Sequence, residues 1–179
     1  MNERTEAYIL TWLNEVEQML KSISSDFLGY KPTGNCINQT PQFRNVTVGK
    51  LPSEMQVFYG FCDGVDMPDV HVGYFIHSLS WIEKSHLKGE PFRIASYPHE
   101  IVVFGSDGGG GRFALGGETS QEILYLPSSG GIHNGVFRYL SKSEAPYRVA
   151  KDWMQFMEVL RSDLRAFLLR DETWKFMID

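Results

Sequence analysis

The run Gly105-Ser106-Asp107-Gly108-Gly109-Gly110-Gly111 is the most conspicuous candidate for chemistry in this chain. Glycine-rich loops can cradle phosphate, because backbone amides reach an anion that no side chain blocks. A nucleotide-binding loop also needs Lys-Ser/Thr directly after the glycines and a helix to follow, and a dinucleotide fingerprint needs a helix too. Here Arg112-Phe113-Ala114-Leu115 follows and reads as a strand, so the glycines predict a hairpin turn. The histidines, His71, His77, His86, His99 and His133, show no His-x-x-x-His or Cys-x-x-Cys spacing. His71 and His77 could face the same way on one strand, but two ligands without a third read as strand decoration. Cys36 and Cys62 are candidates for loop and core positions, and neither has a basic neighbour or helix start that would favour a thiolate. Ser106 and Ser128-Ser129-Gly130-Gly131 do not make the Gly-x-Ser-x-Gly elbow of a nucleophile. The expectation is no catalytic residue, no metal and no cofactor.

Acidic residues remain. Glu54, Asp63, Asp66, Asp69, Asp107 and Glu118 fall mostly in predicted turns. They read either as solvated turn acids or as an acidic face for a basic protein.

The elements that must position these residues follow from periodicity. Ile9, Trp12, Leu13, Val16, Met19, Leu20 and Ile23 recur at helical steps and predict an N-terminal amphipathic helix. Residues 25–50 form a polar stretch punctuated by Gly29, Pro32, Gly34, Pro41 and Gly49, read as a long loop with a candidate strand at Asn45 to Val48. Pro52 suits the first turn of a short helix that carries Met55, Phe58 and Tyr59 and ends at Cys62-Asp63-Gly64. Val70 to His77 alternates like a strand, with Val70, Val72, Tyr74 and Ile76 on one face and His71, Gly73, Phe75 and His77 on the other. Ser78 to Lys88 suggests a short helix with Leu79, Ile82 and Leu87 as its apolar marks, and Phe92 to Ala95 a brief strand. Ile101–Gly105, Arg112–Leu115, Glu122–Leu126 and Val136–Leu140 are short apolar runs between glycine turns, which imply an antiparallel meander. A second long helix runs from Val149 to Leu168, with Ser143 or Pro146 near its start. The predicted class is α+β, a mainly antiparallel sheet flanked by N- and C-terminal helices.

Composition agrees with a single domain over residues 1–179. Hydrophobic residues make up 42% and charged residues 22%, and the net charge is -5. That balance argues against direct nucleic-acid binding, which needs a basic face. No stretch reaches the roughly 18 apolar residues that span a membrane. The N-terminal MNERTEAYIL lacks the pattern of a signal peptide, so the expected location is cytoplasmic. Two glycosylation sequons, at Asn38 and Asn45, then read as chance matches.

Two segments carry a family resemblance. Leu51-Pro52 leading through Phe58 and Tyr59 to Asp63-Gly64 resembles the Leu-Pro helix signature of the SUKH superfamily, which includes the yeast cell-wall synthesis regulator family. Ile101-Val102-Val103-Phe104-Gly105, the glycine turn and Phe113-Ala114-Leu115 are similar to that family's strand, Gly-rich turn and strand. The likeness covers roughly residues 51–168. Two features depart from the pattern: Asp63 stands where asparagine is usual, and the acidic stretch before Leu-Pro is replaced by the long loop. The resemblance implies a SUKH-like α+β fold. It also implies a bacterial immunity protein that binds and neutralises a cognate toxin, often a nuclease domain, without catalytic residues of its own. The alternative is a regulatory scaffold like the eukaryotic relatives. The expected interface is the exposed sheet face and its turns, with Asp63, Asp66, Asp69 and Asp107 as acidic contacts to a basic toxin and Tyr74 and Phe75 as exposed aromatic anchors. Phe58, Tyr59, Val102, Phe104, Phe113 and Leu115 are assigned to the core.

Overall fold

The computed structural model describes residues 3–39, 51–119, 121–175 and 177–178. The chain begins with α1 (Glu3–Ser22), α2 (Ser25–Leu28), β1 (Cys36–Ile37) and α3 (Ser53–Phe61). It continues through β2 (Val65–Met67), β3 (Tyr74–Ile76), α4 (Leu79–Glu83) and β4 (Arg93–Ile94). Then come β5 (Val102–Asp107), β6 (Arg112–Gly116), β7 (Glu122–Leu126), β8 (Gly131–His133), β9 (Val136–Arg138), β10 (Tyr147–Ala150) and α5 (Trp153–Leu169). Seven strands form a sheet in the order β1-β2-β3-β5-β6-β7-β10, every neighbour antiparallel. A smaller sheet has the order β4-β9-β8. The class is α+β, as the sequence predicts.

The long helices form where the sequence pattern is strongest. Ile9, Trp12, Leu13, Val16 and Leu20 of α1 are buried in one stripe, while Met19 is only partly covered. Each fully buried side chain of this size contributes about 1.5–3 kcal/mol. Glu3 and Glu6 lie in the first turn and Lys21 in the last, matching the helix dipole. α5 starts at Trp153, capped by Asp152, whose carboxylate accepts the Gln155 N–H at 2.8 Å. The two helices are tied together: the Trp12 indole donates to Met157 O at 2.6 Å, and Tyr8 donates to Glu158 at 2.9 Å. Arg161, only 14% exposed, bridges Glu15 of α1 and Glu158 of its own helix.

Four expectations change. The C-terminal helix does not begin near Ser143 or Pro146, because Tyr147–Ala150 pairs with β7 as the edge strand β10, so Val149 and Ala150 belong to the sheet. The strand expected from Val70 is shortened to Tyr74–Ile76. His71 (φ 53°) and Gly73 (φ 90°) have left-handed backbones that fold residues 68–73 into a turn, with β2 on its other side. β9 leaves the meander and pairs parallel with β4 in the small sheet. Residues 25–39 are structured, as α2 and β1, whereas the candidate strand at 45–48 lies outside the described residues.

The large sheet separates two apolar clusters. Its inner face lies under α1, α3 and α5, where Phe58, Phe104, Phe113, Trp153 and Phe156 pack ring against ring. Phe58, Tyr59, Phe104, Phe113 and Leu115 are buried there as expected, with Val102 partly buried at the margin. Its outer face is covered over β5–β7, where Val103, Ala114, Leu124 and Leu126 meet Ile94, Ile101 and Phe137. The glycine run is the hairpin between β5 and β6. A β-carbon on Gly108 would strike Val72 O, and one on Gly111 would strike the Tyr125 hydroxyl, so close packing of neighbours accounts for these two glycines.

Candidate partner-binding face

Opposed residues in an antiparallel sheet point to the same side. Register therefore builds one row across the outer face: Cys36 opposite Asp66, Asp66 opposite Phe75, Phe75 opposite Ser106, and Ser106 opposite Arg112. Unlike the outer residues of β5–β7, this row is not sealed. Cys36 is exposed, and Asp66, Phe75, Ser106 and Arg112 are half-buried. Among the described residues, the small sheet thus covers the outer face over β5–β7 and not over β1–β3.

The open part carries Asp66 and Phe75, with Lys88 and Arg112 beside it. Asp66 accepts from Asn38 at 3.1 Å, which leaves its remaining oxygen for other donors. Asp63 lies at the same end, its N–H bonded to Asn38 O at 2.7 Å and its carboxylate accepting the Leu79 N–H at 2.9 Å. His77 follows β3 and lies against Trp81 with ring centroids 3.9 Å apart. Burial lowers the His77 pKa from 6.5 to about 4; nearby Lys88 lowers it further, and Asp66 opposes the change. At neutral pH the imidazole is therefore an uncharged ring, packed against Trp81 at a tilt of 32°. The Lys88 ammonium sits 5.2 Å from the Trp81 ring centre. Arg112 is ion-paired with Glu90. The Cys36 thiol is pushed up by burial and by Asp66, and the Cys62 thiol by burial to about 12, so neither is poised as a thiolate at neutral pH.

The sequence-predicted contacts are divided by the fold. Asp66 and Phe75 share the open face, and Asp63 borders it. Tyr74 is 1% exposed, so it is not an exposed anchor: β3 turns it inward, where its hydroxyl donates to Asp163 at 3.1 Å. Asp107 is 7% exposed and faces inward as well, accepting from Gly111 N at 2.7 Å and from the Tyr125 hydroxyl. Asp69 is 5% exposed and clasps the preceding segment, accepting from Thr33 N, Thr33 Oγ1 and Asn35 Nδ2, each at 2.8 Å. Asp69 and Asp107 are therefore not solvent-facing acids, because buried carboxylates persist only where donors surround them. His71 and His77 lie at opposite ends of β3 and do not share a strand face. Trp81 escaped the sequence reading, and Asn38 entered it only as a chance glycosylation sequon. The one local signal was that Trp81 falls off the Leu79–Ile82 spacing of α4.

Among the described residues, no three His, Cys, Asp or Glu side chains group to hold a metal, and no helix is long and apolar enough to cross a membrane. Fold and face together define an α+β protein whose large antiparallel sheet is sealed on one side and half-open on the other. No protein-family model and no curated protein matches the chain.

Proposed function

We propose that this chain is a SUKH-like immunity protein that neutralises a cognate toxin domain by binding it stoichiometrically. The observation that carries this reading is the open row of Asp66 and Phe75, flanked by the His77–Trp81 pair. A carboxylate beside partly buried aromatic side chains is a composition suited to an interface hot spot for a basic partner. The Leu-Pro and glycine-turn resemblance supports the same reading. A standard interface buries on the order of 1,600 Å² in total, more than this row supplies, so adjoining turns must contribute.

The test is rescue. The C-terminal domain encoded by the upstream neighbouring gene is expressed in a susceptible bacterium with and without this protein. Restored growth and a one-to-one complex are the expected result. Asp66→Lys combined with Phe75→Ser should weaken that complex by about thirtyfold or more, given about 2 kcal/mol or more for a central hot spot. Circular dichroism must report the variant folded. Rescue that is untouched by the folded double variant would remove this face from the interface. A toxic neighbour that this protein neither binds nor neutralises would count against immunity and favour a scaffold role.

A further inference from the structure

A second feature lies away from the open sheet face. The segment after α2, the β2–β3 turn and the end of α5 enclose a cleft of about 580 Å³. Phe27, Tyr30 and Phe167 give it aromatic walls, and the exposed residues Asp171 and Glu172 edge it, Asp171 with one oxygen accepting from Thr173 N at 3.0 Å and Thr173 Oγ1 at 2.7 Å. α5 ends here, so the negative pole of its dipole faces the same region. Asp69 also lines the cleft, but its oxygens are engaged by Thr33 and Asn35. The cleft already holds one cation of its own. The Arg170 guanidinium lies 4.9 Å from the Phe27 ring centre and donates to Phe27 O at 2.7 Å. Phe27 is in turn buttressed edge-on by Phe167 at 5.4 Å.

We infer that this cleft receives the guanidinium of an arginine presented by a protein partner. Three features favour that occupant. A planar cation stacks on an aromatic face better than a compact ammonium does, and the Arg170 guanidinium already lies over the Phe27 ring. The exposed carboxylates and the helix end supply complementary charge. The volume is far larger than a guanidinium alone and suits a side chain with its flanking backbone. The inference rests on the reading above for its protein partner, but the chemistry of the cleft stands independently. Arg170 then acts as an internal competitor that an incoming arginine must displace or stack beside.

The experiment uses the full chain and N-acetylarginine methylamide as the probe, followed by NMR of the aromatic and His71 resonances. The expected result is a saturable shift, with a dissociation constant on the order of 1–10 mM for so small a probe. Arg170→Asn, which tolerates the left-handed backbone at φ 52°, should tighten binding by about two- to fivefold. Asp171→Asn with Glu172→Gln should weaken it by a similar factor, as should Phe27→Leu. The corresponding lysine probe should bind more weakly. Free arginine, whose carboxylate meets Asp171 and Glu172, should also bind more weakly; equal or tighter binding of the free amino acid would overturn the protein-borne occupant. A probe that gives no saturable shift, or one indifferent to all three variants in folded protein, overturns the inference itself. Because no toxin is present, the outcome is separate from that of the rescue assay.

Discussion

Replacing His77 with phenylalanine isolates a titration that the fold perturbs within the mildly acidic range. Phenylalanine keeps a ring against Trp81 but cannot be protonated. The imidazole changes from 6.5 to about 4 on folding, chiefly through burial. Between those values the unfolded chain binds a proton that the folded chain refuses. Stability from this group is therefore complete above about pH 6.5, falls as the pH drops through the window, and is gone below about pH 4. Linkage over the full change gives a loss of about 1.9 kcal/mol between pH 7 and pH 5. His77 is only partly buried, so solvent screening reduces this to about 1 kcal/mol. Urea unfolding of wild type and His77→Phe at both pH values gives the four stabilities needed. The other titrating groups are common to both proteins and cancel in the difference. The expected result is a wild-type loss about 1 kcal/mol larger than the variant's. Equal pH dependence in the two proteins, or an NMR titration of His77 with a midpoint near 6.5, would refute the claim that burial holds this ring neutral.

Other predictions follow from buried polar contacts and from close backbone approach. Asp163 is fully buried and accepts from Tyr74, from the Trp174 indole at 2.8 Å and from Met177 N at 3.1 Å. Asp163→Ala should cost about 3 kcal/mol by leaving these donors unpaired, measured by urea unfolding. It should also release the C-terminal segment, seen as a red shift in Trp174 emission in the folded baseline; unchanged emission and stability would show the carboxylate to be dispensable. Gly108→Ala should cost about 2 kcal/mol or more because its β-carbon meets Val72 O. Gly109→Ala, whose nearest neighbour is Asp107 Oδ1 at 3.4 Å, should change stability by about 0.5 kcal/mol or less. Equal effects at the two positions would count against packing as the reason for the glycine at 108. Arg161→Met should cost about 1–3 kcal/mol, because it removes the buried cation that Glu15 and Glu158 share and leaves Glu15 to the more exposed Arg165; a chemical denaturation midpoint within error of wild type would contradict this.

The parts of this protein legible in the sequence are those where a local period repeats often enough to be unambiguous. α1, most of α5, and the β5–β7 meander with its glycine hairpin were of this kind, and so was the core role of Phe58, Phe104 and Phe113. A long stripe at helical steps has one way to bury itself, and an apolar strand followed by glycines has few. The shorter elements were not legible. Val70, Val72, Tyr74 and Ile76 alternate like a strand, yet left-handed backbone at His71 and Gly73 turns half of them into a loop. Val149 and Ala150 fit the helical spacing of α5, yet they close the edge of a sheet. The candidate face depended most on tertiary structure. Tyr74 and Phe75 are adjacent and both aromatic, but strand register sends one to the core and the other to the open side. Asp66, Asp69 and Asp107 look alike as turn acids. The burial of Asp69 and Asp107 comes with donors from Thr33, Asn35 and Tyr125, residues distant in sequence, whereas Asp66 accepts from Asn38. Composition and period determine which segments can bury a face. Which carboxylate remains available to a partner is decided only when the sheet has paired and the small sheet has covered half of it.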